Sequence, residues 1–413
     1  MRRLCSRESM GESRQLRVGI VGAGFLAETR ARCWKQVVSA SVAGVVSRRR
    51  EHAENYARRF DVPAVFDDLD AMLADSPIDV VDLCVPNNLH REMTAAAAAA
   101  GKHVICTKPL TAYTGQDLPE DASDADVAGR DRREMMRVAE ADARAMVEAA
   151  KRAGVQLLYG ENWIYAPAFR RALGLLEKAD AVLLEMRGGE CHSGSHSPYS
   201  RVWRHTGGGA LIRLAAHPLG AMLHLKRVEG LRRSGKPVRP AWVSAETADL
   251  SAVAGIAADE LRIAGGWGEV ENWGCAVIGF DDGSRAIAWG GDHVLGGMES
   301  SLDLFASNCR LRLSLSPNDM LRAYTPDGGV FDDAYIMEKI DSGAGWTTPM
   351  PDEDWTSGQL GMCQAFAANL LDGETAESDG ELGLEVVRVL YAAYVASAEG
   401  RRFDLEELEE KMK

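Results

Sequence analysis

Leu16-Arg17-Val18-Gly19-Ile20-Val21-Gly22-Ala23-Gly24-Phe25-Leu26-Ala27 is the stretch from which the rest of the chain can be read. A short apolar run enters a Gly-rich turn, and helical periodicity then runs from Phe25 to about Val37. The turn fits G-x-G-x-x-A, and its place between a strand and a helix is the context that gives this motif meaning. Gly22 permits the tight turn. Gly24 lets the backbone approach a pyrophosphate, and Ala27 lets helix and strand pack closely. Phe25 and Leu26 open a helix whose first N–H groups have no partner within it and favour a phosphate. The expected ligand is a dinucleotide.

The next strand, Val42 to Val46, ends at Ser47-Arg48-Arg49-Arg50. A carboxylate that binds the ribose 2′-OH is expected roughly 20 residues after such a turn. Ser47 stands there instead, followed by arginines. A carboxylate would repel a 2′-phosphate, whereas Ser47 and Arg48 accommodate it. NADP is therefore the expected cofactor, with NAD the alternative.

Further along, strand and helix patterns alternate. A charged helix spans Arg49 to Phe60, and an apolar strand spans Asp79 to Val85. Arg91 to Ala100 reads as a helix closed by Gly101. Strands at His103 to Cys106 and Val155 to Leu158 flank a long helix, Glu134 to Ala153. Uniformly apolar strands alternating with helices argue for a parallel sheet covered on both faces. Residues 115–133 interrupt this rhythm and read as an inserted acidic surface loop. Beyond about Gly160, strand-like segments succeed one another: Ala181 to Arg187, Trp242 to Leu250, Glu271 to Phe280, Arg285 to Trp289, Ser301 to Ala306 and Arg310 to Leu315. Asp281-Asp282-Gly283 is a hairpin signal. Helices close the chain, at Gly358 to Leu371 and Glu381 to Glu399.

The expected fold is α/β. An N-terminal Rossmann parallel sheet, residues 16–160, precedes a C-terminal α+β domain, residues 161–413, with a large, mostly antiparallel sheet. Residues 1–15 read as a disordered tail.

Composition excludes several classes. Of 413 residues, 47 are Lys or Arg and 61 are Asp or Glu, a formal net charge of -14. Such acidity argues against sequence-independent nucleic-acid binding. No run reaches the length of a membrane helix, and the first residues lack the apolar core of a secretory signal. The eight cysteines are scattered, without a C-x-x-C pair, as in a reduced cytoplasmic protein. Walker, G-x-S-x-G and H-E-x-x-H patterns are absent. A homo-oligomer is the expected assembly.

The chain resembles the Gfo/Idh/MocA oxidoreductases, which include glucose–fructose oxidoreductase and inositol dehydrogenases. The motifs that carry the resemblance are Val18 to Gly24, Ile78 to Asn87, His90 and Gly101 to Leu110. They continue with Gly207 to Leu211 and His217, then Asp379-Gly380 and Ala392 to Arg402. They span roughly residues 16 to 404. The resemblance implies a Rossmann domain followed by a domain whose sheet faces the nicotinamide. It places Lys108 at the Lys of the family's E-K-P motif and His217 at its catalytic His. Pro86, Asn87 and His90 fall on the cofactor-side loop. It implies an NAD(P)-dependent oxidoreductase acting on a secondary alcohol or ketone of a small sugar, glycoside or polyol. Two alternatives stay open: a redox-neutral cleavage or elimination that uses the same cofactor, and a non-catalytic dinucleotide-binding sensor.

The chain departs from the family's pattern twice near the chemistry. Thr107 replaces the Glu of E-K-P, and Arg213 stands where the family has an Asp that would orient or tune the His. Hydride chemistry belongs to the nicotinamide, so the protein must orient the carbon and move the hydroxyl proton. His217 has the suitable proton affinity, and Lys108 can stabilise a developing alkoxide. Arg213 is expected to keep His217 neutral by like-charge repulsion and to meet an anionic group or electron-rich carbonyl of the substrate, or else to pair with an acidic side chain. Glu161, Asn162, Trp163 and Tyr165 follow the last strand of the first sheet, and either line the substrate cleft or form a plain connection. The sugar- and polyol-acting members fit the stretch Glu190 to His196 best, and His192 and His196 read as a polar substrate loop. No metal is expected, with zinc, joined by His205, the alternative.

Overall fold

In a computed structural model, residues 15–407 are described apart from residues 76, 196, 254, 255, 258, 259, 317–320, 322, 328–343, 348, 350 and 351. The expected tail falls almost wholly outside them.

The first sheet has six strands: β1 (Leu16–Val21), β2 (Ala40–Val46), β3 (Val65–Phe66), β4 (Val80–Leu83), β5 (His103–Thr107) and β6 (Leu157–Gly160). Their order is β3-β2-β1-β4-β5-β6, and all five pairings are parallel. The order reverses beside β1, which opens a crevice at the carboxyl ends of the strands. Val18, Ile20, Val80, Val81 and Leu83 are fully buried, as two covered faces require. At two residues, β3 is too short to show a periodicity, so sequence reading passed over it.

The 115–133 segment is not wholly a loop. Asp124–Ala128 forms a short helix closed by a reciprocal capping box between Ser123 and Asp126. Arg204 ties it to the second half of the chain through Asp124.

The second sheet comprises β7 (Leu183–Cys191), β8 (Pro240–Ala248), β9 (Trp273–Phe280), β10 (Arg285–Gly291), β11 (Glu299–Ala306) and β12 (Arg310–Ser316). A small ribbon of β13 (Ala323–Thr325) and β14 (Gly345–Thr347) stands apart, and β15 (Phe403–Asp404) ends the series. The sheet runs β12-β11-β7-β10-β9-β8-β15. It is antiparallel except where β7 meets β10. The hairpin at Asp281-Asp282-Gly283 joins β9 to β10, with Gly283 at φ +88° in the left-handed region that glycine tolerates.

Two long helices are missing from the sequence reading, the first although it is strongly amphipathic. Pro167–Lys178 begins with a proline at its first turn. Ala216–Ser234 is buried on nearly all sides, so it has no polar stripe to betray it. Its buried Lys226 is neutralised by Glu229 and Asp282, at 2.9 and 2.8 Å. The last long helix, Gly380–Glu399, packs against both the helix Arg132–Ala153 and β8, tying the two sheets together. Among the described residues no helix is long and apolar enough to cross a membrane.

Candidate active site

The Gly-rich turn has the geometry its sequence demands. Gly22 has φ +116°, and a Cβ there would lie 2.2 Å from the carbonyl oxygen of Cys84. Gly24 differs: its φ is −92°, and a Cβ would meet nothing within 4 Å. It caps the helix Phe25–Lys35 without a side-chain hydrogen bond, so the first N–H groups remain available to a ligand. Ala27 is fully buried beneath the turn, where Tyr56 donates to its carbonyl oxygen at 2.6 Å. The open approach at Gly24 fits a pyrophosphate. Ser47 is half-buried just beyond β2, and Arg48 and Arg49 are exposed. The neighbouring Arg50 is engaged by Glu54 and Asp67.

A cavity of about 750 Å³ opens between the first turn of the helix Phe25–Lys35 and the face of the second sheet. Phe25 and Leu26 of that helix, Lys108, Asn162 and His217, and Glu190, His192 and Ser300 all line it. Lys108 follows β5, and its Nζ donates to the carbonyl oxygen of Arg213 at 2.5 Å. Asn162 donates to the carbonyl of Ser357 at 2.6 Å. His192 accepts at Nδ1 the N–H of Gly194 at 3.0 Å, closing its loop. Ser300 of β11 faces Glu190 of β7 at 3.4 Å.

His217 sits in the first turn of Ala216–Ser234. Its Nδ1 lies 2.8 and 3.0 Å from the two carboxyl oxygens of Glu161. Glu161 directly follows β6 and is fully buried. It also accepts the N–H of Trp163 at 3.1 Å, which fixes its direction locally. The Trp163 ring stacks on the imidazole, with centroids 5.8 Å apart and planes 8° apart. Burial pushes the Glu161 carboxyl up to about 8, against the Lys108 charge. Burial first, and then Lys108, push His217 down to about 3, with Glu190 opposing.

Several expectations need correction. Arg213 pairs with the fully buried Asp292, and its guanidinium lies 5.2 Å from the Trp267 ring centre. The cation acting on His217 is therefore Lys108. The partner of Arg213 is acidic but buried rather than solvated, and a buried carboxylate demands such compensation. Arg213→Ala is thus expected to destabilise the fold by about 3 kcal/mol, since Asp292 loses its cationic partner; a lowered denaturation midpoint in urea checks this. His90 does not face the cavity. It is fully buried, with Nδ1 3.1 Å from the Leu110 carbonyl and Nε2 3.0 Å from that of Val85, so it braces the two loops. Tyr165 is also a packing residue: its hydroxyl accepts the N–H of Ser378 and its ring meets Phe366 edge-on. Asn87 spends its amide on the carbonyl of Thr206 at 2.9 Å, bracing that loop against the second half of the chain. Pro86 is exposed beside it. His196 lies outside the described residues. Among the described residues no group of three His, Cys, Asp or Glu side chains is placed to hold a metal ion.

Sequence reading left two residues without assigned roles. Glu190 opens the His-rich stretch, and sequence alone gives it no role of its own. Glu161 was grouped with its neighbours as a possible cleft residue. Its one sequence signal is that a carboxylate follows a core strand in a chain whose expected Asp has become Arg213.

Residues 16–140 match the model of an oxidoreductase family with an NAD-binding Rossmann fold, GFO_IDH_MocA. The chain is 29% identical over 224 residues to levoglucosan dehydrogenase of Pseudarthrobacter phenanthrenivorans, covering 51% of each chain. It is 38% identical over 98 residues to D-glucoside 3-dehydrogenase of Escherichia coli, covering 24% of this chain and 28% of that protein. The alignments thus span about half the length of these relatives or less. The crystal structure of GenD2 from gentamicin A biosynthesis, in complex with NAD, superposes with a TM-score of 0.75 at 26% identity, over 97% of this chain and 99% of that one. Residues 16–140 thus match the Gfo/Idh/MocA family of oxidoreductases, and the relatives and the full-length structural likeness agree with that match.

Proposed function

We propose that this protein transfers a hydride between a nicotinamide dinucleotide and a secondary alcohol, or the matching ketone, of a sugar, glycoside or polyol. Residues 16–160 serve as the dinucleotide unit, and residues 161–413 carry the substrate face. The observation that carries the reading is one cavity shared by Phe25 and Leu26 of the helix that follows the Gly24 turn, Lys108, His217 and a polar sheet face. The relatives named for levoglucosan and D-glucoside dehydrogenation support the substrate class.

A bound nicotinamide supplies or accepts the hydride. His217 exchanges the hydroxyl proton at Nε2, the ring nitrogen not engaged by Glu161. Lys108 stabilises negative charge that develops on the substrate oxygen. Glu190, His192 and Ser300 offer acceptors and donors to neighbouring hydroxyls. The test uses levoglucosan, D-xylose, methyl glucoside and myo-inositol, each with NADP+ and with NAD+. Growth of reduced-nicotinamide absorbance with at least one sugar is expected. A protein that binds the nucleotide but reduces it with none of them defeats the reading.

The preferred cofactor in this reading is NADP. Ser47 brings no negative charge to the end of β2, and Arg48 and Arg49 have no ion pair among the described residues. Ser47→Asp is expected to shift the ratio of NADP to NAD affinity by about tenfold or more toward NAD, or at least about 1.4 kcal/mol, because the new carboxylate repels a 2′-phosphate. Calorimetric titration with both nucleotides reads the ratio. A wild-type protein that binds NAD more tightly than NADP reverses the preference.

A further inference from the structure

Residue 213 lacks the carboxylate that the family places beside its catalytic histidine, and Arg213 is committed to Asp292. A carboxyl group nevertheless reaches that histidine, from a different element 56 residues away in sequence. Both oxygens of Glu161 lie within hydrogen-bond distance of His217 Nδ1. Trp163 fixes both partners, through its backbone N–H on Glu161 and its ring against the imidazole. Gly220 faces the same carboxyl group, and a Cβ there would lie 3.1 Å from Glu161 Cγ, so the side chain has little room to turn away. The ring is held by Nδ1, and its edge borders the cavity.

We propose that Glu161 is the positioning residue for His217 and the second member of a proton relay. This rests on the functional reading above, which makes His217 the group that serves the substrate oxygen. In carbonyl reduction the substrate carbon takes the hydride with its electron pair. The oxygen takes the Nε2 proton, Nδ1 takes the proton of the Glu161 carboxyl group, and a carboxylate remains. In alcohol oxidation each proton runs the other way, and the Glu161 carboxyl group ends protonated. Net charge inside the buried pair changes by only one unit per turnover, and that change falls beside Lys108.

The titratable groups facing the pair are Lys108 from the loop after β5, Tyr159 of β6 and Glu190 of β7. Burial raises the carboxyl end and lowers the imidazole end, so the pair holds one shared proton over the middle of the pH range. The sign follows. Carbonyl reduction uses the loaded pair and falls as pH rises through about 8, whereas alcohol oxidation uses the unloaded pair and rises there.

The test reads the full-length apo protein labelled with 15N-histidine, titrated across neutral and alkaline pH. The His217 resonances are identified by their loss in His217→Asn. In wild type the ring should report a tautomer change in the alkaline range, as Glu161 passes from proton donor to acceptor at Nδ1. Glu161→Gln keeps the shape and can still accept the Trp163 N–H, so the fold is expected to survive and the transition to vanish. Glu161→Asp retains a carboxyl group and should retain a transition. An unchanged transition in Glu161→Gln overturns the proposal, as does a wild-type ring that shows none. The resonance needs neither substrate nor cofactor, so this result and the sugar assay fail or succeed separately. With a sugar that wild type turns over, Glu161→Gln should also lower kcat by about tenfold or more and lose the alkaline limb of the pH profile; a purely structural role would leave the limb in place.

Discussion

Gly24→Val is expected to abolish dinucleotide binding while the protein stays folded. Gly24 has φ −92° and ψ −170°, an extended conformation that a β-branched residue adopts without strain. A Cβ there meets no protein atom within 4 Å, so the fold loses only a modest capping preference, about 1 kcal/mol or less. In the proposed function the same open space receives the pyrophosphate, and two added methyl groups fill it. Affinity should fall by about 1000-fold or more, equivalent to about 4 kcal/mol. Calorimetric titration with NADP+ and NAD+ measures the loss, and a thermal melt confirms the fold. Nucleotide binding at wild-type strength would show that the Gly-rich turn is not the phosphate site. Gly22 is no substitute for this experiment, because a Cβ would drive into the Cys84 carbonyl and disturb the loop itself.

His217→Asn should reduce turnover by about 1000-fold, within the range of general acid–base catalysis, while nucleotide affinity stays near wild type. The imidazole borders the cavity and is held by Trp163 and Glu161 rather than by the Gly-rich turn. Its loss therefore removes the proton transfer without opening the pyrophosphate site. The variant leaves Glu161 buried with its Trp163 contact but without the ring, so a lowered melting temperature is an expected companion. Steady-state kinetics on a sugar that wild type oxidises, together with calorimetry of the cofactor, separates the two effects. Equal kcat in wild type and variant would remove His217 from the chemistry. Nucleotide affinity lost in parallel with turnover would point instead to collapse of the cavity.

What adjacent residues dictate was legible in the sequence. The run Leu16 to Val21, the left-handed turn at Gly22 and the helix from Phe25 all follow from local periodicity and the steric needs of one turn. The apolar strands, the hairpin at Gly283 and the succession of strands after residue 180 are equally local, and they account for both sheets apart from the two-residue edge strands β3 and β15. Lys108 and His217 entered as candidates through the resemblance, each by its place in a short motif, and both line the one cavity. The structure alone decided how distant segments meet. Glu161 and His217 lie 56 positions apart, and Arg213 and Asp292 lie 79 apart. No periodicity spans those distances, so the carboxylate that holds the catalytic-position histidine, and the one that occupies Arg213, become visible only when the two sheets close on each other. Burial decided the rest. His90 and Tyr165 have the chemistry of site residues, but both ring nitrogens of one and the hydroxyl of the other are turned to backbone groups in the interior. A polar side chain in the interior must find a partner there. That requirement sorts packing residues from site residues, and only the assembled tertiary structure applies it.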